Sequence, residues 1–300
     1  MDITSSARPT VSSSNGLRRF MQRHPLLCYF VMAFGFTWLG WIPYVLSQSG
    51  LQLLPVSLSQ FASLPGAYMG PLMSGFIMAA VTEGKPGVGR LLHRFVLWRV
   101  GWQWYLAALL GVPATILLGL MIMPGAVAAL HVNLAQFVLF FPLLLILEIC
   151  TSGLAEEPGW RGFALPRLQL RYGPLLGSVI LGVLWQCWHL PLYLTDWGHG
   201  ANGLLIALEI IGNVGLTIVI TWVFNHSRGS LLIAILMHAT LDAFGSVAAV
   251  SIFSTQWILV NGNIALLIGF GIVALVLVIV TRGRLGYQQP VGMLLSKSFT

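Results

Sequence analysis

Eight apolar stretches, each long enough to cross a bilayer, constrain this chain more than any other feature. A membrane helix needs roughly 20 mostly apolar residues. The candidates cover about 25–46, 65–82, 103–124, 134–156, 174–194, 203–224, 231–252 and 263–281. Charged residues make up only 8% of the sequence, against about 25% in a soluble domain, and the mean hydropathy is +0.86. Too few polar residues remain to cover a water-facing surface. The expected fold is therefore all-α, a polytopic membrane helix bundle.

The fifteen Lys and Arg residues set the orientation. Arg8, Arg18, Arg19 and Arg23 precede the first span, and Lys85, Arg90, Arg94 and Arg99 follow the second. Arg161, Arg167 and Arg171 lie after the fourth, Arg228 after the sixth, and Arg282, Arg284 and Lys297 after the eighth. None falls in the alternate loops, so basic loops facing inward imply an even number of crossings and both termini in the cytosol. The net charge of +7 reflects that topology and does not point to nucleic acid.

Residues 1–24 read as a disordered cytosolic tail, 25–282 as one helical domain and 283–300 as a second cytosolic tail. The run from Pro25 to Leu46 is too long for a signal peptide and lacks a small-x-small cleavage site, which predicts an uncleaved first span. Segment 83–102, with basic residues along an amphipathic stretch and Trp98 and Trp102, predicts an interfacial helix. Cys28, Cys150 and Cys187 are far apart in apolar runs and form no CxxC pair, so neither a disulfide framework nor a zinc knuckle is indicated.

Ionisable groups inside spans are costly and usually mark function. Five of the eight carboxylates (Glu148, Glu156, Glu157, Glu209 and Asp242) fall in or at the ends of spans, with His189 and His238. Three patterns organise them. In EEPGWRG, a continued helix puts Glu157 and Arg161 on one face at i,i+4, where they can pair. Glu156, rotated by about 100°, stays free as a candidate general base. In WQCWHLP, Trp185 and His189 are again at i,i+4. In HATLD, Asp242 can orient His238.

A carboxylate base, two histidines and an acid on separate spans suit water activation beside an oxyanion. Glu156 with His189 would deprotonate a water that attacks a peptide carbonyl, and His238 with Asp242 would stabilise the oxyanion. HExxH is absent, so this is not that class of zinc protease. Counting residues raises a difficulty. His189 lies about 22 Å into the fifth span, whereas Glu156 ends the fourth. The two meet if the fourth span continues past Glu156, with Pro158 early in a continued or kinked segment.

EEPGWRG, WxxxH and HxxxD, in that order on successive spans, resemble the CPBP intramembrane proteases, also called the Abi family or type II CAAX prenyl endopeptidases. The resemblance is carried by residues 135–245, including FALPRLQLRYGPLLGSVILGVLWQCWHLPLYL. It implies an endopeptidase in a bacterial or archaeal cytoplasmic membrane that cuts membrane-associated or lipidated proteins. On the matching positions, Glu156 is the catalytic glutamate, Glu157 with Arg161 the supporting pair, His189 the water-activating histidine, and His238 with Asp242 the oxyanion side. Trp185 stands where the family often has Phe. Asp242 stands where the prenyl-protein enzymes have Asn, which points to the broader bacterial branch.

The family is conventionally named as metalloproteases. Zinc on Glu157, His189, His238 and Asp242 is compatible with these residue types, and a metal-free mechanism uses the same ones. The expected partners are a peptide or lipidated-protein substrate and membrane lipids, reached between helices from the bilayer through a cytosol-facing cavity. A bacteriocin-immunity or scaffold protein without proteolysis is the main alternative. An ion or proton transporter would show inverted repeats, which are not found. A membrane cytochrome with His189 and His238 on haem leaves the paired carboxylates unexplained.

Overall fold

Inside hydrocarbon every backbone polar group needs an internal partner, so apolar runs of this length must coil into helices. The computed structural model describes residues 13–288, and among them eight helices are long and apolar enough to cross a membrane. An amphipathic helix, α1 (Ser13–Arg23), precedes them. The spans are α2 (Pro25–Leu46), α3 (Gln60–Phe95), α4 (Trp102–Ile122), α5 (Leu134–Tyr172), α6 (Pro174–Leu194), α7 (Gly203–His226), α8 (Leu231–Ser251) and α9 (Thr255–Thr281). The chain is an all-α integral membrane protein.

Helix α8 forms the axis of the bundle: 67% of its apolar window is buried, against 44% or less for every other span. Around it pack α5 and α4, while α7 lies between α6 and α9. Polar caps set the helix starts. Asn133, Asn202 and Ser230 each accept a hydrogen bond from a backbone N–H three residues on, as N-cap side chains do. Gly173, at φ 81°, reverses the chain between α5 and α6 in a conformation that favours glycine.

Four expectations are corrected. Residues 13–23 form helix α1 instead of continuing a disordered tail; residues 1–12 and 289–300, with Arg8 and Lys297, lie outside the described residues. The segment expected to be interfacial over 83–102 is helical only to Phe95, as the end of α3 beyond a bend at Gly84, φ 65°. Trp98 and Trp102 lie past it. Helix α9 begins at Thr255, because the polar Asn261–Asn263 stretch continues the helix, its first amide bonding to the Trp257 carbonyl. Arg161 is fully buried inside α5 and is no loop cation.

The fourth span, as the depth count required, continues past Glu156 to Tyr172. Its course is not a plain α-helix. It widens into π-helical turns at Ile149–Gly153 and Pro158–Ala164, on either side of Glu156 and Glu157. The second wide turn nests against α3 so closely that a Cβ on Gly159 would sit 2.2 Å from the Pro71 carbonyl oxygen. Only glycine fits there. From the reversal at Gly173, Glu156 lies 17 residues back and His189 16 residues on. At 1.5 Å per residue both come to about 25 Å, the same level.

Candidate active site

The EEPGWRG segment places its two glutamates in different surroundings. Glu157 is fully buried, and its Oε1 accepts from Arg161 Nη1 at 2.8 Å and lies 2.8 Å from His238 Nδ1. The Arg161 guanidinium also lies 4.1 Å above the Trp185 ring. Ionised groups this deep persist only when paired and hydrogen-bonded. Within this knot, Glu157 Oε2 and Arg161 Nε and Nη2 remain without partners among the described residues.

Glu156 faces the other way. Its Oε2 accepts from Trp185 Nε1 at 2.6 Å and from Trp160 Nε1 at 3.3 Å. Two indole donors on one oxygen fix the carboxylate plane. Its Oε1 has no partner among the described residues, yet it is not among their sealed, unpaired atoms; Glu156 lines a cavity of about 690 Å³.

His189 caps the α-helical part of α6, where Pro191 two residues later ends the regular hydrogen bonding. Trp197 stacks on its ring at 5.4 Å and 4°, and Trp188 meets it edge-on at 4.7 Å. The Trp38 indole donates to the Trp188 carbonyl and braces this turn from α2. The imidazole lines the same cavity, and its buried Nδ1 has no hydrogen-bond partner among the described residues.

His238 closes the group from α8. Asp242 was expected to orient it, but the shorter contact is to Glu157: 2.8 Å at Nδ1, against 3.4 Å from Nε2 to Asp242 Oδ2. The reason is packing. Glu157 is locked behind the ring by Arg161, whereas the Asp242 side chain is 34% exposed on the cavity side. All four expected catalytic residues, Glu156, His189, His238 and Asp242, line this one cavity. Of the supporting three, Trp185 lines it, while Glu157 and Arg161 lie behind it.

Residues 138–244 match the family model of the Rce1-like type II CAAX prenyl endopeptidases. That stretch contains Glu156, Glu157, Arg161, Trp185, His189, His238 and Asp242. CAAX prenyl protease 2 of Methanococcus maripaludis is 26% identical over 237 residues, covering 71% of this chain and 81% of the relative. The resemblance carried by the three motifs is thus shown, and both findings support a protease of this type.

A resident zinc ion needs three protein ligands around one point and an open fourth position. Among the described residues no three His, Cys, Asp or Glu side chains are so grouped. The donor chemistry explains why. Glu157 Oε1 is taken by Arg161 and His238, and Glu157 lies behind the cavity that holds His189 and Asp242, so these four donors do not surround one point. The set Glu157, His189, His238 and Asp242 does not fit a zinc site in this arrangement.

Trp160 escaped the sequence reading, as did the contacts of Trp185, Glu148 and Glu209, which that reading had singled out. Trp160 and Trp185 act as indole donors to Glu156; that Trp160 is at i+4 from Glu156 was the available signal. Glu148 accepts from Thr151 at 2.9 Å and Ser152 at 3.2 Å on the cavity wall. Glu209, further along that wall, accepts from Asn263 Nδ2 at 2.6 Å and from the Tyr193 hydroxyl. The cavity has a direction within the bundle. It runs toward Gln60, Trp197 and Leu259, at the end of the bundle opposite the basic loops, and no Lys or Arg lines it. Toward the basic end, Arg161, Trp160 and Phe163 close it off as buried core.

Proposed function

We propose that the protein is an intramembrane endopeptidase that hydrolyses peptide bonds of membrane-associated or lipidated proteins with a glutamate- and histidine-activated water. The observation that carries this is the free Oε1 edge of Glu156, held by two indoles in a cavity also lined by His189 and His238.

In the reading, a water between Glu156 Oε1 and His189 loses its proton to Glu156 as its oxygen attacks the scissile carbonyl carbon. The negative charge that develops on the carbonyl oxygen is met by an N–H of His238, kept in place by Glu157. Glu156 then passes its proton to the leaving amide nitrogen as the C–N bond breaks. Each of these steps uses the chain's own residues and routes nothing through a metal ion. Trp160 and Trp185 hold the Glu156 carboxylate edge-on, which supplies the orientation that such a step needs.

Substrate reaches the site laterally between α5 and α9, whose cavity residues Leu147 and Leu259 are 37% and 63% exposed on the lipid-facing surface. The basic loops, with α1 and the last turn of α9, face the cytosol. The archaeal relative's name, CAAX prenyl protease 2, suggests prenylated C-terminal peptides as the first substrates to try. Asp242 in the cavity favours a wider choice.

The test is cleavage of farnesylated CAAX peptides and internally quenched membrane peptides by purified protein, beside Glu156→Gln and His189→Ala. Turnover that falls by about 10²-fold or more in each variant supports the reading. Folded wild-type protein that cleaves none of them sinks it, in favour of an immunity or scaffold role.

A further inference from the structure

The basic end of the bundle holds a second cavity, of about 1340 Å³, separate from the one lined by Glu156. Arg90, Arg94, Arg167, Arg171, Arg228 and Arg284 line it, with Glu83 as its one carboxylate. Glu83 is already bracketed by Arg90 and Arg167. Arg94 donates to the Gly229 carbonyl at 3.1 Å and lies 5.4 Å from the Phe224 ring, so it is anchored in the wall. Among the described residues Arg94, Arg171, Arg228 and Arg284 form no ion pair. Four like charges lining one cavity favour an anion there, and Arg171, Arg228 and Arg284 are exposed to meet one.

Two further features say which anion. The cavity is not purely polar: Leu26, Leu27 and Leu170 also line it, and Leu27 and Leu170 are 56% and 42% exposed on the outer surface. The arginines therefore adjoin surface suited to acyl chains. Exposed Trp98 and Trp102 mark the membrane interface, and Ser230 beside the Arg228 turn donates to the Leu97 carbonyl at 2.8 Å. This ties the cavity floor to that level.

We infer that this cavity binds the phosphodiester headgroup of an anionic membrane lipid, with Arg171, Arg228 and Arg284 contacting phosphate and the leucines contacting the first acyl carbons. Guanidinium groups suit phosphate because their donors match its oxygens in pairs. Basic pockets between membrane helices bind such headgroups elsewhere. This site is independent of the proteolytic reading.

The full chain, purified into neutral detergent, is heated with short-chain phosphatidylglycerol, short-chain phosphatidylcholine, inorganic phosphate or a Glu-rich peptide at matched concentrations. Phosphatidylglycerol should raise the unfolding midpoint by several degrees, while the other three leave it in place. The triple variant Arg171→Gln/Arg228→Gln/Arg284→Gln should bind phosphatidylglycerol about 10-fold more weakly. Arg99→Gln, outside the cavity, should retain binding, and the Lys triple variant, which keeps the charge but not the paired donors, should bind more tightly than the Gln variant and more weakly than the wild type. An equal shift with phosphatidylcholine, with inorganic phosphate or with the peptide overturns the inference, as does undiminished binding by the Gln variant. If the Gln variant fails to fold, the four wild-type arms still decide.

Discussion

Glu156 and Glu157 are neighbours in sequence and opposites in circumstance. Glu157 is surrounded: one oxygen serves Arg161 and His238, with no exposed surface. Glu156 is held by two indoles on one oxygen and presents the other to a cavity. The same side chain does two jobs because one helical step of about 100° separates a packed interior from an open one. Membrane burial makes a paired carboxylate a structural member, and a half-paired one a reagent.

The comparison breaks most decisively at Glu156. Glu156→Gln still accepts from both indoles but cannot take a proton, so turnover should fall about 10⁴-fold. Its unfolding midpoint should match the wild type. Activity within tenfold of wild type would show that Glu156 is no base. Glu157→Gln should act through the fold, because it leaves the Arg161 charge buried with a weaker partner. Removing one member of a buried pair costs about 3–5 kcal/mol, so denaturation in detergent should come markedly earlier. A Glu157→Gln protein of wild-type stability would mean that the pair is not needed to hold the helices.

Trp185→Phe sharpens the contrast at the boundary. Phenylalanine keeps a ring beneath Arg161 but loses the 2.6 Å donor to Glu156. A hydrogen bond to a charged group contributes roughly 1.5–3 kcal/mol, so kcat should drop about tenfold or more with little change in KM. An unchanged kcat would assign the orientation of Glu156 to Trp160 alone. The smallest effect is expected from a zinc chelator, which should alter turnover by less than about twofold because no three ligands meet. Loss of activity that zinc restores would require the His238 contacts to rearrange around a metal.

Much of this was legible in the sequence, and the failures share a cause. Span existence followed from run length, and the pairing of Glu157 with Arg161 from i,i+4 spacing. Span four was cut short because Pro158, Gly159 and Arg161 look like the end of a helix. In the structure Arg161 is neutralised by Glu157, and the proline opens a wide turn without ending the helix. The 81-residue separation of Glu157 and His238 leaves no local trace, so Asp242 at i+4 was the natural but weaker choice. Trp185 read as a mild replacement for Phe because hydropathy does not record an indole N–H.

The two wide turns of α5 have a consequence for how this span tolerates change. Each fits one more residue into a turn than an ordinary α-turn holds, so each absorbs an extra residue without passing the added rotation of about 100° to the helix beyond it. Together they act as slack: the faces carrying Glu156, Glu157 and the stretch packed against α6 keep their phase across them. A single-residue deletion in 149–153 would tighten the wide turn to an ordinary one and leave both glutamates on their present faces. The same deletion in a regular turn has no slack to draw on and would swing one side of the span by about 100°. Insertion–deletion scanning should therefore find the two wide turns more forgiving of a lost residue than the regular turns of the same span.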